Sequence, residues 1–482
     1  MLQKMIPSKI INILQVLGAD GHNAYIVGGA VRDLLSGRSP QDYDIATDAR
    51  PEQIAAIAAK AGWRVIDRLG QNFGVLALVL DGEMVEVATF RGESYGTDAH
   101  RPEDVWFTRN VEEDLSRRDF TINAMAVDIT GKVVDPFGGQ KDIADRIIRT
   151  VGQADQRFQE DALRMFRACR FAAQLGYIIH HTVYAAIPGC LPRVAGLSLE
   201  RVRWELDKIL LSAHPHMGLD ALVKAGLANS RCRVRENGID RQVAILPELS
   251  HLVGLPQNPA YHRFDAWEHT LAAVRNVPVD LILRWAALLH DIGKGLPGIR
   301  DYDNEGQPTD HKHEQAGARM ARAILTRLQM KEKLTSRAVW LVSRHMRYYF
   351  QMGAGEKVVQ RWLREEARSG AFRDAGEMSV AFRQLSILCQ ADACAAGATE
   401  SFVVQVAAYG EQLFKLAKSM PTHTSDLRCA ITELATMARS GSQLGNLLKN
   451  ILRRVQDGNL PNESEAIAAA SQKWLKRNTI QE

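Results

Sequence analysis

The spacing of apolar and polar positions changes character near residue 140. Before it, Tyr25 to Val27, Val75 to Leu80 and Met84 to Phe90 are short runs rich in β-branched and aromatic residues, which predict strands. Asp81-Gly82 joins the last two as a hairpin turn. Side chains alternate faces along a strand, so Glu86 points away from its apolar neighbours Val85 and Val87. A helical stretch near Leu34 follows Gly28-Gly29, and an interrupted amphipathic run spans Ile10 to Leu17. Beyond residue 140 strand signals almost vanish. Gln53 to Ala61 and Glu465 to Lys476 are Ala-rich helix formers, and Ala286 to Lys294 reads as a buried helix ending at Gly293 and Gly295. With no repeat of fixed period, a solenoid is disfavoured. The pattern predicts an α/β head followed by all-α domains in an elongated multidomain chain.

Length supports that division, because 482 residues exceed what one core organises. We expect a head over 1–150, a helical neck and body over 151–255, a further helical domain over 256–400 and a tail over 401–482. The Pro and Gly punctuation of Gly254 to Pro259 marks one boundary. At 46% hydrophobic and 24% charged, the composition is that of a globular protein, and a net charge of +4 permits an RNA partner without requiring one. Six cysteines without a Cys-x-x-Cys pair predict buried thiols in a reducing cytoplasm. Neither an export signal nor a membrane span is evident.

The first candidate chemistry is carboxylate. Asp42 and Asp44 lie two apart after the Gly28-Gly29 strand end, so in a strand both would project toward one hard cation. Gly28 and Gly29 let the backbone approach a triphosphate, whose charge Arg32 could neutralise. Each part alone also fits a solvated turn; the order and spacing together favour nucleotidyl transfer. Glu86 completes the metal cage if its strand lies beside the one carrying Asp42 and Asp44, and is otherwise a solvated strand residue.

A second feature is the block from Glu160 to Phe171, rich in helix formers, with Arg164, Arg167 and Arg170 winding along it as a cationic stripe. Asp161 and Arg164 are neighbours on such a helix. A carboxylate beside a guanidinium complements cytosine and adenine, which both present an amino donor next to a ring-nitrogen acceptor. Guanine and uracil present the reverse order and would leave buried groups unmet. The plain alternative is an exposed intrahelical ion pair worth about 0.3–0.5 kcal/mol.

Taken together, these residues resemble the class II tRNA nucleotidyltransferase family of the bacterial type, which includes CCA-adding enzymes, A-adding enzymes and poly(A) polymerases. Gly28 to Asp33 with Asp42 and Asp44 resembles its metal and triphosphate motif. Arg117 to Ala124, containing Arg118, Asp119 and Asn123, resembles its ribose-discriminating motif, and Asp135 to Gly139 its hinge-like segment. Glu160, Asp161 and Arg164 match the protein template for base selection, Arg167 and Arg170 further nucleotide contacts, and Ser198 to Arg201 with Glu205 the neck motif that supports the template. Ala162 and Leu199 stand where many relatives carry proline. The resemblance spans roughly the first 210 residues. It implies a polymerase-β-like mixed sheet, CTP and ATP as substrates and the tRNA 3′ end as acceptor. It also implies two Mg²⁺ ions about 3.5–4 Å apart on Asp42 and Asp44, with Arg32 and Arg118 on triphosphate and ribose. Arg91 to Phe107 is similar to the flexible loop of CCA- and A-adding members, whereas a poly(A) polymerase would share most of the other residues.

A second metal constellation lies downstream. His290-Asp291, with His269, His313, His345 and Asp392 on other predicted helices, resembles the HD superfamily of metal-dependent phosphohydrolases over about residues 260 to 395. The resemblance implies His269, His290, Asp291 and Asp392 as ligands of a divalent ion such as Mn²⁺ or Ni²⁺, with His313 and His345 as second-metal or phosphate contacts. A purely structural metal site is the alternative. In the tail, Lys449, Arg453, Arg454, Lys473, Lys476 and Arg477 surround Trp474 and would touch RNA phosphates or form a solvated face. A phosphohydrolase with a docking head and a non-catalytic RNA-binding protein are the rival functions.

Overall fold

The computed structural model describes residues 2–66, 74–80, 82–95, 102–429, 431–438 and 440–478. Two compact units divide it, Met1–Ser250 and His251–Glu482.

The first unit opens with α1 (Ser8–Ala19), β1 (Ala24–Val27), α2 (Gly29–Leu35), β2 (Asp44–Thr47), α3 (Pro51–Lys60) and β3 (Arg64–Ile66). Next come β4 (Val75–Leu80), β5 (Glu83–Thr89), β6 (Arg91–Tyr95), β7 (Pro102–Phe107) and α4 (Val111–Ser116). β8 (Ala126–Val127) and β9 (Val133–Val134) complete a seven-stranded mixed sheet of order β3-β4-β5-β2-β1-β8-β9. Ile10, Ile13, Leu14 and Leu17 recur at helical spacing on α1 and join Ile26, Ile45, Leu76, Leu78, Val85 and Val87 in one buried core. Each such side chain contributes about 1.5–3 kcal/mol on burial. Because Ile45 and Val87 point into this core, Asp44 and Glu86 project from the opposite face, which carries a smaller cluster of Val27, Ala46, Phe90, Leu115 and Ala126.

The unit continues through α5 (Gly139–Asp145), β10 (Ile147–Ile148), α6 (Ala154–Glu160), α7 (Leu163–Leu175), β11 (Ile178–Ile179) and α8 (His181–Cys190). It closes with α9 (Leu199–Leu210), α10 (Pro215–Lys224), β12 (Arg231–Glu236) and β13 (Ile239–Ala244). α7 packs against α9 and α10.

The second unit holds α11 (Ala266–Asn276), α12 (Leu281–Leu289), β14 (Arg300–Tyr302), β15 (Pro308–Asp310), α13 (His313–Arg327) and α14 (Glu332–Gln351). It then runs through α15 (Glu356–Arg368), α16 (Ala375–Ala396), α17 (Glu400–Ser419), α18 (Ile431–Met437), α19 (Gly441–Gln456) and α20 (Ser464–Asn478). α14 and α16 are its hubs: α12, α13 and α16 pack on α14, and α11 and α17 on α16. Leu447, Ile451 and Ile467 centre a separate cluster near the end. Among the described residues, no helix is long and apolar enough to cross a membrane.

Four expectations are corrected. β2 begins at Asp44, so Asp42 lies in the lead-in rather than in the strand. The segment from Glu160 to Phe171 is two helices broken at Asp161, which adopts φ −141°, ψ 107°. α12 ends at Leu289, which puts His290 and Asp291 on the turn beyond it. Finally, strands do recur after residue 140; the β12–β13 hairpin turns at Asn237-Gly238, both at positive φ, a dipeptide that favours this turn. Of the six free cysteines four are buried, whereas Cys394 is exposed. Of the expected loop, β6 and β7 pair as an antiparallel ribbon, and residues 96–101 between them, including Arg101, lie outside the described residues along with Asp81 of the β4–β5 turn.

Candidate functional site: an arginine-lined cleft and a buried histidine cluster

β2 is flanked by β1 and β5, and the register aligns Val27 with Asp44 and Asp44 with Glu86. Gly28 ends β1 at φ +73°, and a Cβ there would stand 3.1 Å from an Arg118 guanidinium nitrogen and 3.9 Å from Asp44 Oδ2. Only glycine keeps that approach open. Asp44 is pushed above the ordinary carboxylate range, first by desolvation and then by Glu86 and Asp42, against the pull of Arg118. A carboxylate whose charge is opposed by two neighbouring acids is suited to a hard divalent cation.

A cleft of about 730 Å³ opens beside Asp44. Gly28, Gly29, Arg32, Arg118, Asp119, Asn123, Asp161, Arg164, Arg167 and Arg170 all line it, while Asp42 and Glu86 are outside the lining. Eight arginines face four carboxylates there, a cationic excess fitting a polyphosphate. Arg32 donates 2.9 Å bonds to Asn123 Oδ1 and Asp33 Oδ1. Arg32, Arg167 and Arg170 also gather around Phe171, at 5.7, 5.6 and 4.4 Å from its centroid.

Arg164, Arg167 and Arg170 are individually paired rather than forming a solvated stripe. Arg164 binds Glu160, Arg167 binds Asp119 at 2.6 Å and Arg170 binds Glu205 at 2.7 Å. Burial opposes the Asp119 charge, but Arg167 and Arg164 outweigh it and hold the carboxyl below its usual range. Burial dominates at Glu205 and raises it despite Arg170 and Arg167. Asp161 does not pair with Arg164: Oδ1 accepts from the Leu163 N–H at 2.9 Å and Oδ2 from Arg201 at 2.9 Å. Each oxygen keeps a lone pair for a ligand. Arg201, which belongs to the expected neck motif, is a cleft residue, and Asp114 was missed altogether. Asp114 is 1% exposed and clamps Arg117 at 2.7 Å and Arg118 at 3.2 Å; these outweigh burial and hold it below its usual range.

The second unit gathers His269, His290 and Asp392 into one buried triad and Asp291, His313 and His345 into another. His269 Nε2 stands 3.0 Å from Asp392 Oδ1. Asp291 joins the triads: Oδ2 lies 3.2 Å from His290 Nε2, and Oδ1 lies 3.2 Å from His313 Nε2. The Nδ1 atoms of His290, His313 and His345 face the carbonyls of Ala287, Asp310 and Val342 at 2.8, 2.8 and 2.7 Å. A carbonyl only accepts, so Nδ1 carries a proton and each Nε2 is turned toward the centre. Tyr349 and Lys294 donate to Asp392 Oδ2 and Asp291 Oδ2 at 3.0 and 2.7 Å. Imidazoles and carboxylates so oriented fit divalent transition metals. His313 and His345 thus stand inside the cluster, while His262 lies beside it, 4.9 Å from His269 by ring centroids.

Comparison with known proteins finds family models in both units. Residues 24–149 match the Poly A polymerase head domain, residues 176–230 the probable RNA and SrmB-binding site of polymerase A, and residues 262–397 the HD domain. The CCA-adding enzyme of Geobacillus thermodenitrificans (strain NG80-2) is 46% identical over 228 residues, 47% of this chain and 55% of that protein. The chain therefore spans about half the length of that relative. The crystal structure of the Bacillus stearothermophilus CCA-adding enzyme in complex with CTP aligns over 98% of both chains at 27% identity with a TM-score of 0.66. The CCA-adding enzyme of Enterococcus faecalis (strain ATCC 700802 / V583) is 38% identical over 304 residues, 61% of this chain and 71% of that protein. Matched head, RNA-binding and HD segments, in the same chain as this degree of identity, establish that the protein belongs to the CCA-adding enzyme family.

Proposed function

We propose that the chain adds CMP and AMP from CTP and ATP to the 3′ end of tRNA, with no nucleic-acid template. One observation carries this reading: a single arginine-lined cleft joins Asp44, beside Glu86, to Asp161 and Arg164. Arg32 and Arg118 bind the triphosphate and ribose; Asn123 fixes the Arg32 guanidinium and Asp114 that of Arg118, while Asp119 holds Arg167. Asp161 accepts from the amino group of cytosine or adenine while Arg164 donates to the neighbouring ring nitrogen. The primer 3′-oxygen bonds to the α-phosphorus, the bridging bond to the β-phosphate breaks and pyrophosphate leaves. Asp42, Asp44 and Glu86 would hold Mg²⁺, which supplies charge stabilisation for the attacking and departing oxygens. The CTP complex of the Bacillus stearothermophilus relative supports this substrate class. In this reading residues 1–150 are the catalytic head, 151–255 the neck and body, 256–400 the HD domain and 401–482 the tail, in a cytoplasmic protein.

Transfer RNAs ending before the first C, after one C and after both, offered with radiolabelled CTP and ATP, test the reading. Stepwise completion to CCA is expected, and Asp42→Ala with Asp44→Ala should abolish incorporation. Incorporation by that double variant refutes the assignment. A-only extension or a long A ladder would instead indicate an A-adding enzyme or a poly(A) polymerase.

The buried six-residue cluster favours a second activity, hydrolysis of 2′,3′-cyclic or 2′-phosphorylated ends. His269, His290, Asp291 and Asp392, with His313 and His345, would hold Mn²⁺ or Ni²⁺, which activates water for phosphoester cleavage. Phosphate release lost in His290→Ala is the expected result.

A further inference from the structure

α9 presents a stripe of which the expected neck motif includes only Arg201. Arg201, Trp204 and Lys208 follow one another at i, i+3 and i+7 on its outer side, while Glu205 turns inward to Arg170. The stripe begins inside the cleft, where Arg201 holds Asp161. It ends at Lys208, one turn beyond Trp204. Between them Trp204 is 50% exposed. Lys208 Nζ lies 3.5 Å and the Arg170 guanidinium 5.7 Å from its ring centroid. An indole so held yet half open adds little to the core, and its setting is cationic.

We propose that Trp204 and Lys208 form the platform for the 3′-terminal nucleotide of the RNA primer, the base stacking on the indole and its phosphate meeting the ammonium group. This rests on the nucleotidyl-transfer reading above. That reaction needs the primer 3′-oxygen near Asp44, and Arg170 and Arg201, which line the same cleft as Asp44, are the neighbours of Trp204 in space and along α9. It also demands opposite behaviour toward two bases. The incoming base is discriminated by hydrogen bonds, whereas the primer's terminal base differs between a tRNA ending before the first C and one ending after it. A stacking surface accepts any base, because every base has a π-face.

The test measures primer KM, nucleotide KM and kcat for wild type, Trp204→Ala and Trp204→Phe on tRNAs ending before the first C, after one C and after both. Equilibrium CTP binding without primer reports on the fold and the nucleotide pocket. Trp204→Ala should raise KM about tenfold for all three primers, leave CTP binding unchanged, and be largely rescued by Trp204→Phe. An unchanged primer KM, an effect confined to one primer, CTP binding that weakens in step, or a Phe variant as poor as Ala would each overturn the platform. Should wild type leave every primer unextended, the transfer reading falls and takes this proposal with it; extension by wild type with an unaltered Trp204→Ala KM removes the platform alone.

Discussion

Asp161 illustrates how much a single residue's backbone decides. Extended between α6 and α7, it spends one bond of each oxygen on the protein, capping Leu163 and holding Arg201, and so points in one fixed direction. The proposed base selection depends on that fixity, since a carboxylate free to rotate could serve either hydrogen-bonding pattern. Arg201→Ala should therefore mimic much of Asp161→Ala. Losing a charge-assisted bond costs about 1.5–3 kcal/mol, so discrimination against UTP and GTP should fall about ten- to a hundredfold in a four-nucleotide competition, with primer binding unaffected. Undiminished selectivity in both variants would remove the template role. Asp161 was legible from its neighbours in the chain, but its partner lies forty residues away. Asp114 was invisible for the same reason: its acidity is ordinary in a helix of three acids, and only the folded arrangement turns it onto Arg117 and Arg118.

Among elements, α7 and α9 are joined by the Arg170–Glu205 pair, with Glu205 fully buried. Breaking such a pair from one side leaves a charge buried without its partner, which costs about 3–5 kcal/mol, whereas replacing both members with apolar residues is often neutral. Glu205→Gln should accordingly lower the urea midpoint of the first unit, and Glu205→Leu with Arg170→Met should recover most of the loss. A Glu205→Gln midpoint equal to wild type would show that the pair contributes nothing to the packing of these helices. Strand and helix periodicity made the sheet of the head readable, because Ile45, Val85 and Val87 alternate cleanly with polar neighbours. The break at Asp161 was not, since helix formers continue on both sides and the cap at Leu163 competes only in three dimensions. The β12–β13 hairpin was missed although Asn237-Gly238 carried the signal.

At the scale of the molecule, two units each bury their own core and each hold their own candidate site. Titrating Mn²⁺ or Ni²⁺ should therefore raise the unfolding transition of the second unit in calorimetry, by about 2.7 kcal/mol at a hundredfold excess over the dissociation constant. His290→Ala should abolish that shift while nucleotide incorporation continues; a shift that persists would place the ion elsewhere. Residue types and spacing were enough to assign the α/β head, the helical remainder, the acids near β2 and the family resemblance, because these depend on local periodicity and short motifs. Folding alone decided which charges meet. It aligned Glu86 with Asp44 across two strands, gave each arginine of α7 a separate carboxylate, and brought four histidines and two aspartates together as two buried triads. Burial and charge pairing act through space, and a linear pattern carries distance along the chain but not distance across it.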